Sequence, residues 1–291
     1  MLKLVVPKGS LEAQTLALLD QADLAVRRGS DRDYHGWIED PRIERVSILR
    51  PQEIPRYVQE GFFDLGITGQ DWVSETEADV DVLTKLSYSG RAGGVAKIVL
   101  AVPNDSGVDS ADEMPPNSRI STEYPTITLR AFEKRGIPVR IFQSYGATEA
   151  KVPQIVDAVV EVTETGSTLR RNGLKIIETL LESQTVLIAN REAVADAGKR
   201  QAMRDIEMLL QGAMSARGRV LVKLNVGEAA LQDVLDILPA MKAPTISKLA
   251  TTDSYAVETV VDKSRINILI PQLKERGASD ILEIPLSKIV H

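Results

Sequence analysis

Residues 155–173 read IVDAVVEVTETGSTLRRNG: two carboxylates, Asp157 and Glu161, lie in an apolar run that passes at once into a loop of threonine, glycine and serine. Taken as a strand, a turn and a helix start, this stretch suits a terminal phosphate. It offers consecutive backbone N–H groups, a Gly166 that lets the backbone approach a ligand, and hydroxyls on Thr163, Thr165, Ser167 and Thr168. Asp157 and Glu161, four residues apart, share a strand face, where they can accept hydrogen bonds from vicinal hydroxyls about one sugar away. Phosphate and diol together describe ribose 5-phosphate. TETGST by itself is also an ordinary polar turn. Two acids among Ile, Val and Ala weigh against that reading, because ionised groups are disfavoured there unless they bind something.

The surrounding elements must position this stretch. LKLVV (2–6) stops at Pro7, Lys8 and Gly9, after which Ser10 is placed to cap a helix with Leu11, Thr15, Leu18 and Leu19 on one face. RVSILR ends at Arg50 before PQEIPRYVQEG, and FFDLGITGQDW gives a buried strand, a glycine turn and Asp71. Strands alternating with helices predict a mainly parallel sheet, with ligands beyond the carboxyl ends of the strands. A second α/β unit begins at KIVLAVPND (97–105) and continues through a helix over 126–134 closed by Gly136, the strand VRIFQS and the acid-bearing stretch. A helix follows over 191–216, with Met203, Ile206, Leu210 and Ala213 at helical spacing. Two lobes are expected, with the chain crossing between them near residues 94 and 184. Residues 217–291 read βαββαβ, the ferredoxin-like order: RVLVKLNV, EAALQDVLDIL, a short strand over 245–249, SYAVETVV, a helix on Ile266, Leu269, Ile270 and Leu273, and DILEIPL.

Composition narrows the function classes. A chain of 291 residues, 43% of them hydrophobic, has material for two or three domains. A net charge of −6 argues against nucleic-acid and acidic-membrane partners, so an anionic ligand needs a local cluster of cations and amides. The absence of cysteine excludes disulfides, thiolate zinc sites and a Cys nucleophile. With only His35 and His291, no histidine-based metal cluster is expected, and a serine triad would have to rest on His35. MLKLVVPKGS is too short in apolar residues for a signal sequence, and no apolar stretch approaches membrane-spanning length. A cytoplasmic protein is expected.

The acid-bearing stretch resembles the phosphoribosyl-diphosphate (PRPP) motif of the ATP phosphoribosyltransferase family. Other segments match the family in the same order: LVVPKGSL, LRPQEIPRYVQEGFFDLGITGQDW, TEYPTITLRAF and SYGATEA, with the βαββαβ tail similar to the regulatory domain of the long form. Two positions depart from the family: Glu161 stands where an Asp is common, and Ser10 where an Arg is usual after the PKG turn. The resemblance implies a two-lobed, periplasmic-binding-protein-like (type II) α/β catalytic core with mixed sheets and an ACT-like C-terminal domain. It places lobe I at 1–94 and 184–216, lobe II at 95–183 and the regulatory domain at 217–291.

The implied reaction joins adenine N1 of ATP to C1 of PRPP and releases diphosphate, with Mg²⁺ accompanying the diphosphate and histidine as feedback inhibitor. By resemblance, Thr163, Glu164, Thr165, Gly166, Ser167 and Thr168 hold the 5-phosphate, and Asp157 and Glu161 the ribose. Lys8, Gly9, Arg50, Asp71 and Glu149 are candidates for diphosphate or ATP, with no protein-held metal site. Thr245, Ser247, Leu249 and Ala278 are candidates for a histidine pocket between neighbouring domains of a homodimer or homohexamer. Rival readings are a cytoplasmic two-lobed ligand-binding or sensor protein, and a phosphoribosyltransferase with another acceptor.

Overall fold

A computed structural model describes residues 1–88, 94–239, 243–250 and 253–291. Two compact units emerge, Met1–Glu207 and Met208–His291. The expected crossing near residue 94 borders residues 89–93, which lie outside the described set.

In chain order the first unit comprises β1 (Leu2–Pro7), α1 (Glu12–Gln21), β2 (His35–Gly36), β3 (Ile43–Leu49), α2 (Ile54–Gln59), β4 (Leu65–Gly69), α3 (Gln70–Thr76) and β5 (Asp81–Lys85). It continues with β6 (Val95–Pro103), β7 (Ser118–Thr122), α4 (Pro125–Glu133), β8 (Val139–Gln143), β9 (Ala158–Thr163), α5 (Ser167–Arg171), β10 (Leu174–Ala189), α6 (Arg191–Ala195) and α7 (Ala197–Ala216). The sheet runs β2-β3-β1-β4-β10-β6-β9-β7-β8, with β5 also paired to β10.

Each half repeats one plan. Parallel strands β3-β1-β4 meet antiparallel β10, and parallel strands β8-β7-β9 meet antiparallel β6. Strand β10 serves both halves: its residues 174–184 pair with β6 and its residues 185–189 with β4. The expected mixed-sheet α/β core is therefore present, and each half has its own apolar cluster. Val5, Ile54, Val58, Val186 and Ile188 lie in the first half, and Ile98, Leu100, Ile120, Phe132 and Val160 in the second. Central strands covered on both faces are buried throughout, as LGITG of β4 is, its one polar side chain, Thr68, donating to the Pro51 carbonyl at 2.8 Å. Gly66 in that strand is a packing requirement, since a Cβ there would meet Ile54 and Val58 methyls at 2.8 Å.

Local expectations fail at two places. Ser10 does not cap α1: the N-cap is Leu11, with no side-chain cap bond, and Glu12 reaches back to the Gly9 N–H at 3.4 Å. The helix expected over 191–216 breaks at Asp196, whose ψ of 121° is extended. The Asp196 carboxylate accepts from the Lys199 N–H at 2.8 Å and restarts the helix as α7. Hydrophobic spacing is blind to a one-residue break of this kind.

The second unit contains the end of α7, β11 (Arg219–Gly227), α8 (Leu231–Leu235), β12 (Thr245–Lys248), β13 (Ser254–Asp262), α9 (Lys263–Glu275) and β14 (Ala278–Pro285). Its antiparallel sheet has the order β12-β13-β11-β14, as a ferredoxin-like βαββαβ chain requires. The alternation of β11 buries Val220, Val222, Leu224 and Val226 with Val234 of α8 and Leu269 and Leu273 of α9. The C-terminal tail returns to α7, where the Ile289 N–H donates to the Gly212 carbonyl at 2.9 Å.

Candidate active site

The acid-bearing strand is β9, buried through Val160 and ending at Thr163. Beyond it the chain turns on Gly166, whose φ of +70° is left-handed backbone. A Cβ at that position would meet Ile176 Cδ1 at 2.8 Å and Arg170 Nη1 at 3.0 Å, so glycine is required for space as well as for φ. The loop is braced from within: the Gly166 N–H donates to Thr163 Oγ1 at 2.9 Å, and Arg170 Nη2 donates to the Thr165 carbonyl at 2.8 Å. Thr163 through Thr168 thus form one braced turn into α5 at the carboxyl end of β9.

Glu161 stands just before that turn, and its Oε2 is buried with no hydrogen-bond partner. Burial raises the carboxyl to about 7, helped by the neighbouring Glu149 and Glu123 charges and opposed by Lys151. Lys151 is held by hydroxyls, donating to Ser144 Oγ at 2.6 Å and Ser121 Oγ at 3.3 Å. The segment carrying SYGATEA brings Glu149, expected among the diphosphate or ATP contacts, beside Glu161. Glu123 and Lys151 are additions that strand and helix signals did not pick out. Glu123 lies within the matched segment TEYPTITLRAF and Lys151 directly follows SYGATEA, and that placement was the signal available.

Asp157 does not join this group. It precedes β9 at the opposite end of the strand, about 13 Å from Glu161 at the rise of an extended chain. Both of its oxygens are taken by Arg119: Oδ2 accepts the backbone N–H at 2.8 Å and Nε at 3.2 Å, and Oδ1 accepts Nη2 at 2.7 Å. The Arg119 guanidinium holds the Asp157 carboxyl below the ordinary carboxylate range. A shared strand face is not a shared end, and the expected pairing of the two acids on one ribose is corrected accordingly.

The structure does bring the two N-terminal cations together. Lys8 follows β1, with its ammonium 4.5 Å from the centre of the Tyr34 ring. A Cβ on Gly9, at φ +91°, would lie 3.7 Å from Arg50 Nη1. Arg50 opens onto a cleft of about 950 Å³ shared by the two halves of the sheet, with Arg56, Tyr57 and Trp72 on one side and Glu123, Ser144 and Tyr145 on the other. A second cavity of about 300 Å³ is bounded by Gly69, Asp71, Trp72, Tyr124, Thr163 and Glu164. Asp71 lines it, yet both its oxygens are occupied: Ser183 Oγ donates at 2.6 Å and the Tyr124 hydroxyl at 2.8 Å. Burial, with Asp71 alongside, pushes the Tyr124 phenol up. Among the described residues, no three His, Asp or Glu side chains converge on a metal-sized space, and no helix is long and apolar enough to cross a membrane.

The candidate effector residues of the second unit are apart within one chain. Thr245 and Ser247 lie on β12 opposite Glu258 and Ala256, and the Leu249 N–H bonds Ser254. Ala278 opens β14, opposite Val226. β12 and β14 are the two edges of the four-stranded sheet, three strand spacings or about 14 Å apart.

Comparison with known proteins fits this geometry. A family model described as ATP phosphoribosyltransferase matches residues 50–212, and one described as HisG, C-terminal domain, matches residues 216–288. An ATP phosphoribosyltransferase of Pelotomaculum thermopropionicum is 45% identical over 99% of both chains, and one of Solibacter usitatus is 45% identical over 100% of this chain and 99% of its own. Among solved structures, the ATP phosphoribosyl transferase (HisG:HisZ) complex from Thermotoga maritima superposes with a TM-score of 0.62 at 28% identity, covering 72% of this chain and 97% of that one. Braced loop, matched segments and full-length relatives agree: this chain is a member of the ATP phosphoribosyltransferase family.

Proposed function

We propose that the 5-phosphate of PRPP is held by Thr163 to Thr168, with Glu161 and Glu149 facing the ribose. The family transfers the phosphoribosyl group to adenine N1 of ATP, the first step of histidine biosynthesis, and needs a divalent metal ion. The ring nitrogen is itself the nucleophile. Its lone pair forms the bond to C1 as the bond to diphosphate breaks, and positive charge develops on the ribose ring between them. No side chain has to attack, so positioning and electrostatics carry the acceleration.

The observation that carries this reading is the buried, unpartnered Glu161 oxygen at the mouth of the braced turn. An ionised carboxylate is poorly accommodated there until something donates to it. Ribose hydroxyls would supply those hydrogen bonds and favour the charged form, which then faces the ring as it becomes cationic. Lys8, the Gly9 backbone and Arg50 are assigned to diphosphate or triphosphate oxygens, and Mg²⁺ enters as the counter-ion of the diphosphate.

Residues 1–94 with 184–216, and 95–183, are read as the two catalytic lobes, and 217–291 as the regulatory domain. Histidine is assigned to Thr245, Ser247, Leu249 and Ala278. Their separation on opposite sheet edges supports a pocket completed between neighbouring chains of a homo-oligomer, the inhibited form being a hexamer. Histidine would then act by favouring one arrangement of chains over another.

The test is direct. ATP, PRPP and Mg²⁺ should give the ultraviolet absorbance of the adduct, suppressed by histidine, and crystals soaked with ribose 5-phosphate should show density against residues 163–168. Density elsewhere, with the turn left empty, overturns the site assignment.

A further inference from the structure

Lys151 is a cation of the Glu161 cluster with no part in the phosphate, ribose or nucleotide assignments. It ends the short turn Glu149–Lys151, where its N–H donates to the Thr148 carbonyl at 3.3 Å and its own carbonyl accepts the Ile155 N–H at 2.9 Å. With the main chain pinned on both sides, the half-buried side chain runs back to two buried hydroxyls, Ser144 Oγ at 2.6 Å and Ser121 Oγ at 3.3 Å. Ser144 Oγ in turn meets Thr148 Oγ1 at 2.8 Å. Hydroxyls hold an ammonium in place without neutralising it, so the charge of Lys151 is left to its surroundings.

Sheet register fixes those surroundings. Ser121 of β7 lies opposite Val159 of β9, two residues before Glu161 and on the same face. Thr122 pairs with Val160 on one side and Gln143 on the other, which brings Glu123, Glu161 and Ser144 to one level at the carboxyl ends of three neighbouring strands. The ammonium seated on Ser121 and Ser144 therefore lies at the foot of the cluster of Glu123, Glu149 and Glu161, where its charge opposes their repulsion. On the remaining flank, β6 sets the apolar Val99 opposite Glu161, and Lys97 of that strand is paired with Glu182 at 3.7 Å. The same lysine braces the turn that carries Glu149. Between Ser144 and Thr148 the backbone passes through Gly146 at φ +117° and Ala147 at φ +47°. An alanine keeps left-handed backbone only under outside restraint, and the linked Lys151, Ser144 and Thr148 side chains supply it.

We propose that Lys151 is a positioning residue for the transfer: seated on Ser121 and Ser144, it holds Glu149 and Glu161 together at the ribose against their mutual repulsion. The inference rests on the placement of the PRPP ribose at Glu161. Lys151 touches no substrate in this role. As the ring becomes cationic, Glu161 has to face it as a carboxylate with a second carboxylate alongside. A cation fixed behind the pair offsets that like-charge cost, and one already in place needs no reorganisation as the ring charges.

Lys151→Met keeps the length of the side chain and removes its charge. The value of kcat/KM for PRPP should fall about tenfold or more near pH 7. The loss should shrink toward pH 9, with the inflection of the profile moved to higher pH. Lys151→Arg should recover most of the activity. In a Glu161→Gln background the same Lys151→Met change should cost less than about twofold further, because the acid it serves is gone. The ligand-free chain gives an independent readout: at pH 8 the gain in melting temperature from Glu161→Gln should be larger on Lys151→Met than on the parent. A loss that is the same at every pH and in both backgrounds, with an unchanged melting gap, would make Lys151 a purely structural lysine and overturn the proposal. Should Lys151→Met fail to fold, Lys151→Gln, whose amide can still donate to the serines, decides by the same measurements. A widened melting gap without ribose 5-phosphate density at residues 163–168 would support the coupling of lysine to acid and sink the PRPP assignment. Density there, with gap and inflection unmoved, would do the reverse.

Discussion

Strand β9 carries an acid at each end, and the two ends show opposite solutions to one electrostatic problem. Asp157, at the start, is partly open to solvent and gripped by Arg119 through three hydrogen bonds, so its carboxyl is held below the ordinary range. Glu161, at the finish, has a buried oxygen without a partner, lies near two other carboxylates and is raised to about 7. The first arrangement favours the charged form in the folded chain, and the second disfavours it. A carboxylate left in the second condition opposes folding once it is ionised, which points to a ligand as the missing partner. Under the proposed assignment, the same contrast separates an acid that ties two strands together from one reserved for a substrate.

The largest effect expected from this contrast is on turnover. Glu161→Gln keeps the shape and removes the charge, so kcat should fall by about a hundredfold or more, with KM for PRPP changing far less. Equal losses in both would place the side chain in ground-state binding only. Stability should move the other way. Between 4.5, the ordinary value, and about 7 the folded chain binds more protons at Glu161 than the unfolded chain does. Ligand-free stability contributed by this group therefore falls as pH rises through that window. Glu161→Gln has no such group, so at pH 8 its melting temperature should exceed that of the parent, and by pH 4 the difference should vanish. A variant that is less active and also less stable at pH 8 would break the comparison.

The next effect is a shift in pH dependence. If the ionised Glu161 faces the ribose ring, kcat/KM for PRPP should rise with pH through about 7, the value set mainly by burial. The Glu149 charge is the next cause after burial, so Glu149→Gln should move that inflection to lower pH. An unmoved inflection would mean that another group sets the profile.

Much of this was legible in residue types. The alternation of strands and helices sufficed for an α/β core, the acids, hydroxyls and glycine singled out the turn at the end of β9, and βαββαβ order was readable in the tail. The misses share one cause: they depend on partners distant in sequence or on a single backbone angle. Arg119 reaches Asp157 only because β7 and β9 pair in parallel, and nothing local to either residue announces it. Glu123 and Tyr124 directly precede α4. Their position at the carboxyl end of β7, on the cleft side, follows from sheet order and not from spacing. Asp196 and Ser10 show the local limit, since each looks like its neighbours in a hydrophobicity pattern and only ψ or a cap bond decides its role.

The smallest expected effect falls on the other acid, and its smallness is the point. Asp157→Asn removes the charge while leaving an amide oxygen able to accept the Arg119 backbone N–H, so the strand pairing survives and the charge-assisted fork is lost. Both side chains are partly exposed, at 39% for Arg119 and 45% for Asp157, so solvent screens the pair heavily. A drop in melting temperature of about 2–4 °C at pH 7 is expected, with kcat and both KM values within twofold of the parent. The sign with pH is opposite to that of Glu161. A depressed carboxyl contributes stability above its ordinary value of 3.8 and loses it as pH falls through the depressed value, so the gap between parent and variant should close in acid. A large loss of turnover in Asp157→Asn, with the melting temperature unchanged, would return Asp157 to the ribose and erase the distinction between the two ends of β9.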